Sequence, residues 1–397
     1  MTTGRKTQHE AGFTVLEILV ATAIMVTVTA AVLTLLTPAD TVFKVQPEVS
    51  DLQQRTRASA DALTADLLAA GAGIDAGSAA GPLIGYLAPV LPYRTGELGD
   101  DPSAGVRFRS DAVTLLYAST PSAQTTLATS LSASSSELTV NAQPNCGVAS
   151  PRKVCGFEDG TRILLLDPSG VHDVVTATGV QNPVISVQHT GALSEAYAAG
   201  TQVVQVQMRT YYLKTSATQL MVYDGYRSDL PLVDNVVGLE FRYFGDPQPP
   251  TAIPEQNPGD AARVMTTYGP SPPAVDVDNE NDTWPAGENC VFTVQDGRHV
   301  PRLPVLAAGN GPVLLSSSML VDGPWCPDDT RANRFDADLL RVRMIGVTLR
   351  VQAAAASLRG PAGVLFRRGG TAASAARYVQ DLEVHLDIAP RNLNLRR

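Results

Sequence analysis

Residues Phe13 to Leu36 form an apolar run of 24 residues whose only charge is Glu17. As a helix this run is about 36 Å long, enough to cross a hydrocarbon core of about 30 Å. The twelve residues before it are polar and carry Arg5 and Lys6. Basic residues ahead of an apolar span hold its start on the cytoplasmic side, so the bulk of the chain is expected on the other side. A secretory signal has an apolar region of about 7–15 residues followed by a small-x-small cleavage site. Here the run is longer, and the small residue, Gly12, stands before it. A carboxylate inside a membrane segment costs about 2.5–3.5 kcal/mol and persists only with a partner. Cleavage between Gly12 and Phe13 supplies one, because the new amino terminus is a cation four residues before Glu17. The pairing can form within one chain or between neighbouring subunits, and in the second case Glu17 becomes an assembly device.

Gly12-Phe13-Thr14-Val15-Leu16-Glu17 followed by an unbroken apolar helix resembles the class III signal of the type IV pilin superfamily, which includes the pilins and the pseudopilins of type II secretion and DNA uptake. The resemblance implies removal of residues 1–12 by a prepilin peptidase, N-methylation of Phe13 and helix-to-helix packing in a filament. Where major pilins carry a helix-kinking proline, Thr34 stands here, and the first proline of the segment is Pro38. Two C-terminal stretches, LLRVRMIGVTLRVQ and RYVQDLEVHLDIAPRNLNLRR, and the central LVDNVVGLEFRYF are similar to segments of large minor pilins of the PilW kind and of J-type minor pseudopilins. Size agrees with a minor component: 397 − 12 leaves 385 residues, more than a repeating fibre subunit usually has. The partners implied are other minor and major pilins or pseudopilins, the peptidase and the inner-membrane assembly platform. The implied location is the inner membrane, single-pass with a periplasmic domain, and then the filament.

The remaining sequence reads as a spine helix followed by strands. Val49, Leu52, Thr56, Ser59, Leu63 and Leu67 recur at helical spacing on one face. Pro38 and Pro47 are expected to break or kink the connection to the apolar part, and Gly71-Ala72-Gly73 to end the helix. From about residue 105, short apolar stretches bounded by Gly, Pro or Asp predict strands at 112–118, 162–167, 171–178, 202–213, 219–226 and 236–244. In 236–244, Leu239, Phe241 and Tyr243 alternate with Glu240 and Arg242, and 382–388 repeats that pattern. In 340–353 the apolar phase flips at Met344-Ile345 beside Gly346, the mark of a β-bulge. The nine prolines between Asp246 and Gly287 mark a long surface insertion. Hydrophobic residues at 44% support a sizeable core. The expected fold is therefore α+β: a long N-terminal transmembrane and spine helix packed on an antiparallel β-sheet domain with β-rich and loop insertions, the pilin fold. Its segments are a leader at 1–12, an assembly helix at 13–37, an amphipathic continuation at 38–73, a β-rich domain at 74–245, a Pro-rich acidic insertion at 246–287 and a C-terminal β-rich part at 288–397.

Few residues outside the N-terminus suggest chemistry. The four cysteines fall into two local pairs, Cys146 with Cys155 and Cys290 with Cys326. In an oxidising compartment they are disulfide candidates, and free buried thiols are the alternative. Asp276, Asp278, Glu280 and Asp282 space oxygen ligands as a calcium loop does. The loop lacks the sixth-position Gly and has Gly287 at the twelfth, so it is no EF-hand. A solvated acidic loop is the plain reading, and structural calcium is the one cofactor the sequence suggests. Residues 331–397 hold twelve Arg against five acids in a chain of net charge −9. That basic end could dock an acidic neighbour or touch DNA, or its arginines could pair with the protein's own acids. HExxH, GxSxG and GxxxxGK[ST] are absent, and Gly71 to Gly77 has the wrong spacing for a dinucleotide loop. The chain therefore reads as a non-enzymatic assembly component: a minor pilin priming a filament and sitting at its tip, with a type II secretion pseudopilin or a DNA-uptake tip protein as alternatives.

Overall fold

A computed structural model describes residues 13–74, 88–95, 108–118, 123–141, 156–167, 172–188 except 182, 193–247 except 194, 307–320 except 310, and 339–394 except 340, with two short hairpins in 265–301. The chain divides into two compact units, one of residues 1–53 and 352–381, the other of residues 54–351 and 382–397.

One helix, α1 (Val15–Ala69), runs for 55 residues. Of the break or kink expected at Pro38 and Pro47, the break is not there: the helix runs through both prolines. Each proline removes a single rung, the bond to the carbonyl of Thr34 or Phe43, at about 3 kcal/mol. A helix this long keeps the remaining rungs, and its distal part is held by packing. On that distal part the apolar face is as spaced in the sequence. Leu52, Thr56, Ser59, Leu63 and Leu67 are buried and Val49 is half-buried, while Asp51 and Asp61 face solvent. The helix stops at Gly71 and Gly73, whose φ values of 75° and 65° are left-handed. The freed groups are tied down at once. Gly71 N–H donates to Leu116 O, Ala118 N–H to Ala72 O, and Asn392 Nδ2 to Ala70 O. At Gly73 a Cβ would stand 2.9 Å from Ala118 Cβ, so glycine is needed there for space as well as for φ.

The second unit is antiparallel β throughout its described strands. Those of its first part are β1 (Val90–Leu91), β2 (Ala112–Tyr117), β3 (Gln124–Thr126), β4 (Glu137–Thr139), β5 (Arg162–Leu166), β6 (His172–Gln181), β7 (Val184–Gln188), β8 (Gln202–Lys214), β9 (Gln219–Tyr223) and β10 (Asp229–Asp234). They form one sheet whose path is β1-β2-β8-β5-β6-β7-β4. The long β8 is its hub. Residues 202–204 lie between β3 and β5, and residues 210–212 lie between β2 and β9. β2 is buried along its whole length, as expected of a strand covered on both faces. Part of the core gathers Leu138, Phe157, Ile163, Leu165, Ile185 and Val203.

Then come β11 (Val236–Gly245), the hairpins β12 (Met265–Thr266) with β13 (Gly269–Pro270) and β14 (Phe292–Gln295) with β15 (Arg298–Pro301), β16 (Val313–Leu315), α2 (Ser317–Leu320), β17 (Val342–Val351), β18 (Leu382–Ile388) and α3 (Arg391–Asn394). A four-stranded sheet runs β16-β11-β17-β18. β11 buries Leu239, Phe241 and Tyr243 and exposes Glu240 and Arg242. β18 alternates as expected, but Leu382, Val384 and Leu386 are only half-buried because it is the sheet's edge. The bulge in β17 lies one residue earlier than the phase flip suggested. Phe244 pairs with Met344 and Gly245 with Val342, leaving Arg343 as the extra residue. Glycine is obligatory opposite it, since a Cβ on Gly245 would stand 2.3 Å from Arg341 O.

The Tyr243 hydroxyl is buried and has no hydrogen-bond partner among the described residues, and burial alone pushes its pKa up. An unsatisfied buried hydroxyl costs about 1–3 kcal/mol. Tyr243→Phe is therefore expected to hold or raise stability by about 1 kcal/mol, read from the thermal midpoint of the full chain in detergent. A clear loss of stability would show that the hydroxyl has a partner.

Candidate functional site

The N-terminal part of α1 is exposed along its whole described length. Val15–Thr34 has a mean hydropathy of 2.3 over its best window and none of that window is buried. It is one helix long and apolar enough to cross a membrane. Phe13 is 85% exposed, and Leu16 and Leu19 are also well exposed. An uncovered apolar surface of this length needs either lipid or other helices around it.

At its start the chain builds a capping box. Thr14 N–H and Thr14 Oγ1 both donate to Glu17 Oε2 at 2.9 Å, and Glu17 N–H donates to Thr14 Oγ1 at 3.3 Å. Thr14 is the N-cap and Glu17 the third helical residue, so two orphan donors of the helix start are satisfied reciprocally. The sequence reading treated Glu17 only as a charge in need of a cation. The Thr-x-x-Glu spacing that predicts the cap was visible in the same hexapeptide. The cap supplies neutral donors and leaves the carboxylate's charge in place. Oε1 takes no hydrogen bond from any described residue. The arrangement therefore leaves one oxygen of the carboxylate, four residues after Phe13, able to accept a bond from an ammonium group. Gly12 lies outside the described residues.

A second polar constellation, which the sequence reading missed, fixes the distal helix to the sheet of the second unit. Asp66 Oδ1 accepts from the Tyr117 hydroxyl at 2.8 Å, and Asp66 Oδ2 from the Tyr211 hydroxyl at 2.6 Å. Arg209 Nη1 stands 3.5 Å from the same Oδ2. Tyr117 is on β2, and Tyr211 and Arg209 are on β8. Burial, and then the Asp66 carboxylate, push both phenols well above the usual tyrosine range. A parallel group sits nearby: Tyr212 donates to Asp229 Oδ2 at 2.7 Å, and Arg94 lies 4.5 Å over the Tyr212 ring and 4.7 Å over that of Tyr223. Burial first, and then the bond to Asp229, push Tyr212 up to about 12.

These phenols predict an alkaline weakness. Their folded pKa values lie above the ordinary value of about 10, so their contribution is intact below pH 10 and is lost as pH rises through the folded values. The unfolding midpoint of the full chain should therefore fall between about pH 10 and 12. Tyr212→Phe should flatten that decline, and an equal slope in the variant would rule the assignment out.

The other candidates are distributed as follows. Cys146, Cys155, Cys290 and Cys326 lie outside the described residues, as do Asp276, Asp278, Glu280 and Asp282 of the calcium-like loop. Among the described residues no group of three His, Cys, Asp or Glu side chains could hold a metal ion. Three of the described C-terminal arginines lie in the second unit's β17 or just before it. Arg341 is fully buried, Arg343 Nε is 2.7 Å from Asp246, and Arg350 is 3.6 Å from Glu383. Arg359, Arg367, Arg368 and Arg377 belong to the other unit. A polar cleft of about 410 Å³ involves Glu158, Arg162, Gln207 and Asp224. Its Asp224 is spent internally, accepting the backbone N–H groups of Tyr226, Arg227 and Ser228.

No protein-family model, no curated protein and no solved structure matches this chain.

Proposed function

We propose that the chain is a minor subunit of a type IV pilin-like filament, cut between Gly12 and Phe13 and methylated on Phe13. In this reading it assembles with other minor subunits in the inner membrane, primes the filament and stays at its tip. The observation that carries the reading is the N-terminal segment itself. A Gly-Phe junction leads into a capped helix whose Glu17, four residues after the new amine, keeps one carboxylate oxygen unbonded by any described residue. The exposed span Val15–Thr34, apolar apart from Glu17 and four threonines, continues without interruption into a spine whose distal face docks on antiparallel sheet. A plain membrane anchor accounts for the hydropathy and for the helix cap, but not for the charge of the carboxylate or for the glycine before the run.

In this scheme Glu17 neutralises the amine of the same or a neighbouring subunit and sets axial register. The β-rich unit selects partners, its bulk being tolerated at a tip. The internal ion pairs of Arg343 and Arg350 favour a protein-assembly role over a DNA-binding C-terminal face. Mass spectrometry of the protein's N-terminus, in cells with and without a prepilin peptidase, tests the reading. A methylated Phe13 start that depends on the peptidase is the expected result. An intact Met1 in both strains would overturn it.

A further inference from the structure

The four-stranded sheet ends on β18 with its apolar layer unfinished. On β17 the residues Val347, Leu349 and Val351 are 1%, 0% and 0% exposed. Their cross-strand partners on β18, Leu386, Val384 and Leu382, are only half-buried. Among the described residues no strand pairs with the outer edge of β18.

A free sheet edge is ordinarily guarded against further pairing by shortness, proline, lysine, a bulge or an inward-pointing charge. The other edge strands of the two main sheets follow this rule. β1 has two residues, and β3, β4 and β16 have three each. β10 carries Pro231 and a shift of register beside it. None of these guards protects β18. Its seven residues pair with β17 in unbroken register, and they include no proline, glycine, lysine or arginine. Its polar side chains, Glu383, His385 and Asp387, all lie on the solvent side. They are held in place there: Thr348 Oγ1 and His385 Nδ1 are 3.1 Å apart, His385 Nε2 is 3.2 Å from Glu383 Oε1, and Arg350 Nη1 is 3.6 Å from Glu383 Oε2.

A regular open edge of this kind accepts an antiparallel strand. The order Leu-Glu-Val-His-Leu-Asp-Ile of β18 is complementary to its own reverse. In a two-fold contact each copy presents the same strand to the other. An axis at Val384 sets His385 opposite Glu383 of the partner subunit, and does so twice by symmetry. An axis at Leu386 sets His385 opposite Asp387 of the partner subunit, again twice. In both cases the apolar residues of one strand face those of the other on the buried side. An axis at His385 would instead set Glu383 opposite Asp387 of the partner subunit, a pairing of like charges that destabilises.

We propose that β18 is a homodimer interface, through which two copies of the chain join edge to edge into one continuous sheet. The two-fold axis lies at Val384 or Leu386, and the half-buried row of each copy is completed by the same row of the other. The inference does not rest on the filament reading, since no residue of the N-terminal segment takes part.

Light scattering on the full chain in detergent, over a dilution series, tests it. The expected result is a dimer that dissociates on dilution. His385→Glu sets carboxylate opposite carboxylate with either axis and should raise the dimer dissociation constant about tenfold, while His385→Arg should leave the dimer intact. Val384→Lys supplies the guard that the edge lacks and should give a monomer with an unchanged thermal midpoint. Should that variant melt early, the two His385 variants decide alone, at a side chain that is 62% exposed. A parent chain that stays monomeric overturns the proposal, whatever other strand it can take up. So does a dimer that survives both Val384→Lys and His385→Glu, which would place the contact elsewhere, and so does equal weakening by His385→Glu and His385→Arg. None of these failures bears on the mass of the processed N-terminus.

Discussion

Glu17→Gln in the full-length protein is expected to leave membrane insertion and cleavage intact and to reduce incorporation into filaments by about 10²- to 4 × 10³-fold, since stranding one partner of a desolvated ion pair costs about 3–5 kcal/mol. The capping box makes this substitution more informative than a deletion of the side chain. Glutamine at the third helical position can still receive the Thr14 N–H and hydroxyl, so the helix start survives while the charge is gone. Glu17→Val removes both, and Thr14→Val removes only the hydroxyl's share of the cap. If pairing with an ammonium group is what the carboxylate does, the glutamine and valine variants fail alike and Thr14→Val loses less. Should Glu17→Gln assemble at the parent level while Glu17→Val does not, capping would be the whole role of this residue and the assembly argument would fall. The readout is the ratio of filament-associated to membrane-associated protein in cells expressing each variant.

Asp66→Ala is expected to have the largest effect on the folded unit, about 2–4 kcal/mol of stability. It strands the Tyr117 hydroxyl and leaves that of Tyr211 only its long 3.4 Å bond to Ala62 O, on side chains 7% and 1% exposed. The Arg209 contact adds little, because that guanidinium is 45% exposed and screened by water. Tyr211→Phe should cost about 1 kcal/mol, since Asp66 then still accepts from Tyr117. Combining it with Asp66→Ala should cost less than the sum, because the two changes remove the same bond. Leu63→Ala, at a fully buried position one turn earlier on the same face, is the packing comparison at about 2–5 kcal/mol. Thermal unfolding of the full chain in detergent measures all four. Strict additivity between Asp66→Ala and Tyr211→Phe would mean that the hydrogen bond carries no energy.

The two sites were legible in the sequence to different degrees, for a physical reason. The capping box is local: Thr14 and Glu17 are three residues apart, and their spacing alone predicts the bond. The apolar face Leu52, Thr56, Ser59, Leu63 and Leu67 was equally readable, because helical periodicity and burial share one geometry. Strand alternation placed β11 and β18 correctly, yet it could not distinguish a central strand from an edge, which depends on which neighbours the sheet supplies. The Asp66 contacts were invisible for the same reason. Tyr117 and Tyr211 lie 51 and 145 residues away in the chain, and a polar residue on a helix reads as solvated until the sheet order is known. Nothing in β8 itself announces that it is the hub between β2, β3, β5 and β9. At Pro38 and Pro47, local rules predicted a break and continuity prevailed. A one-residue rule weighs the lost rung, and the structure weighs it against everything else that holds the rod.

That continuity has a mechanical consequence. A tension applied along the membrane-length end of α1 is carried down the hydrogen bonds of a helix of 55 residues, about 80 Å of helical rise. That ladder is thinnest at the carbonyls of Thr34 and Phe43, where a proline has taken away the opposing donor. These two places should stretch first under load, so that the rod lengthens there while the tyrosine clasp at Asp66 keeps its far end seated on the sheet.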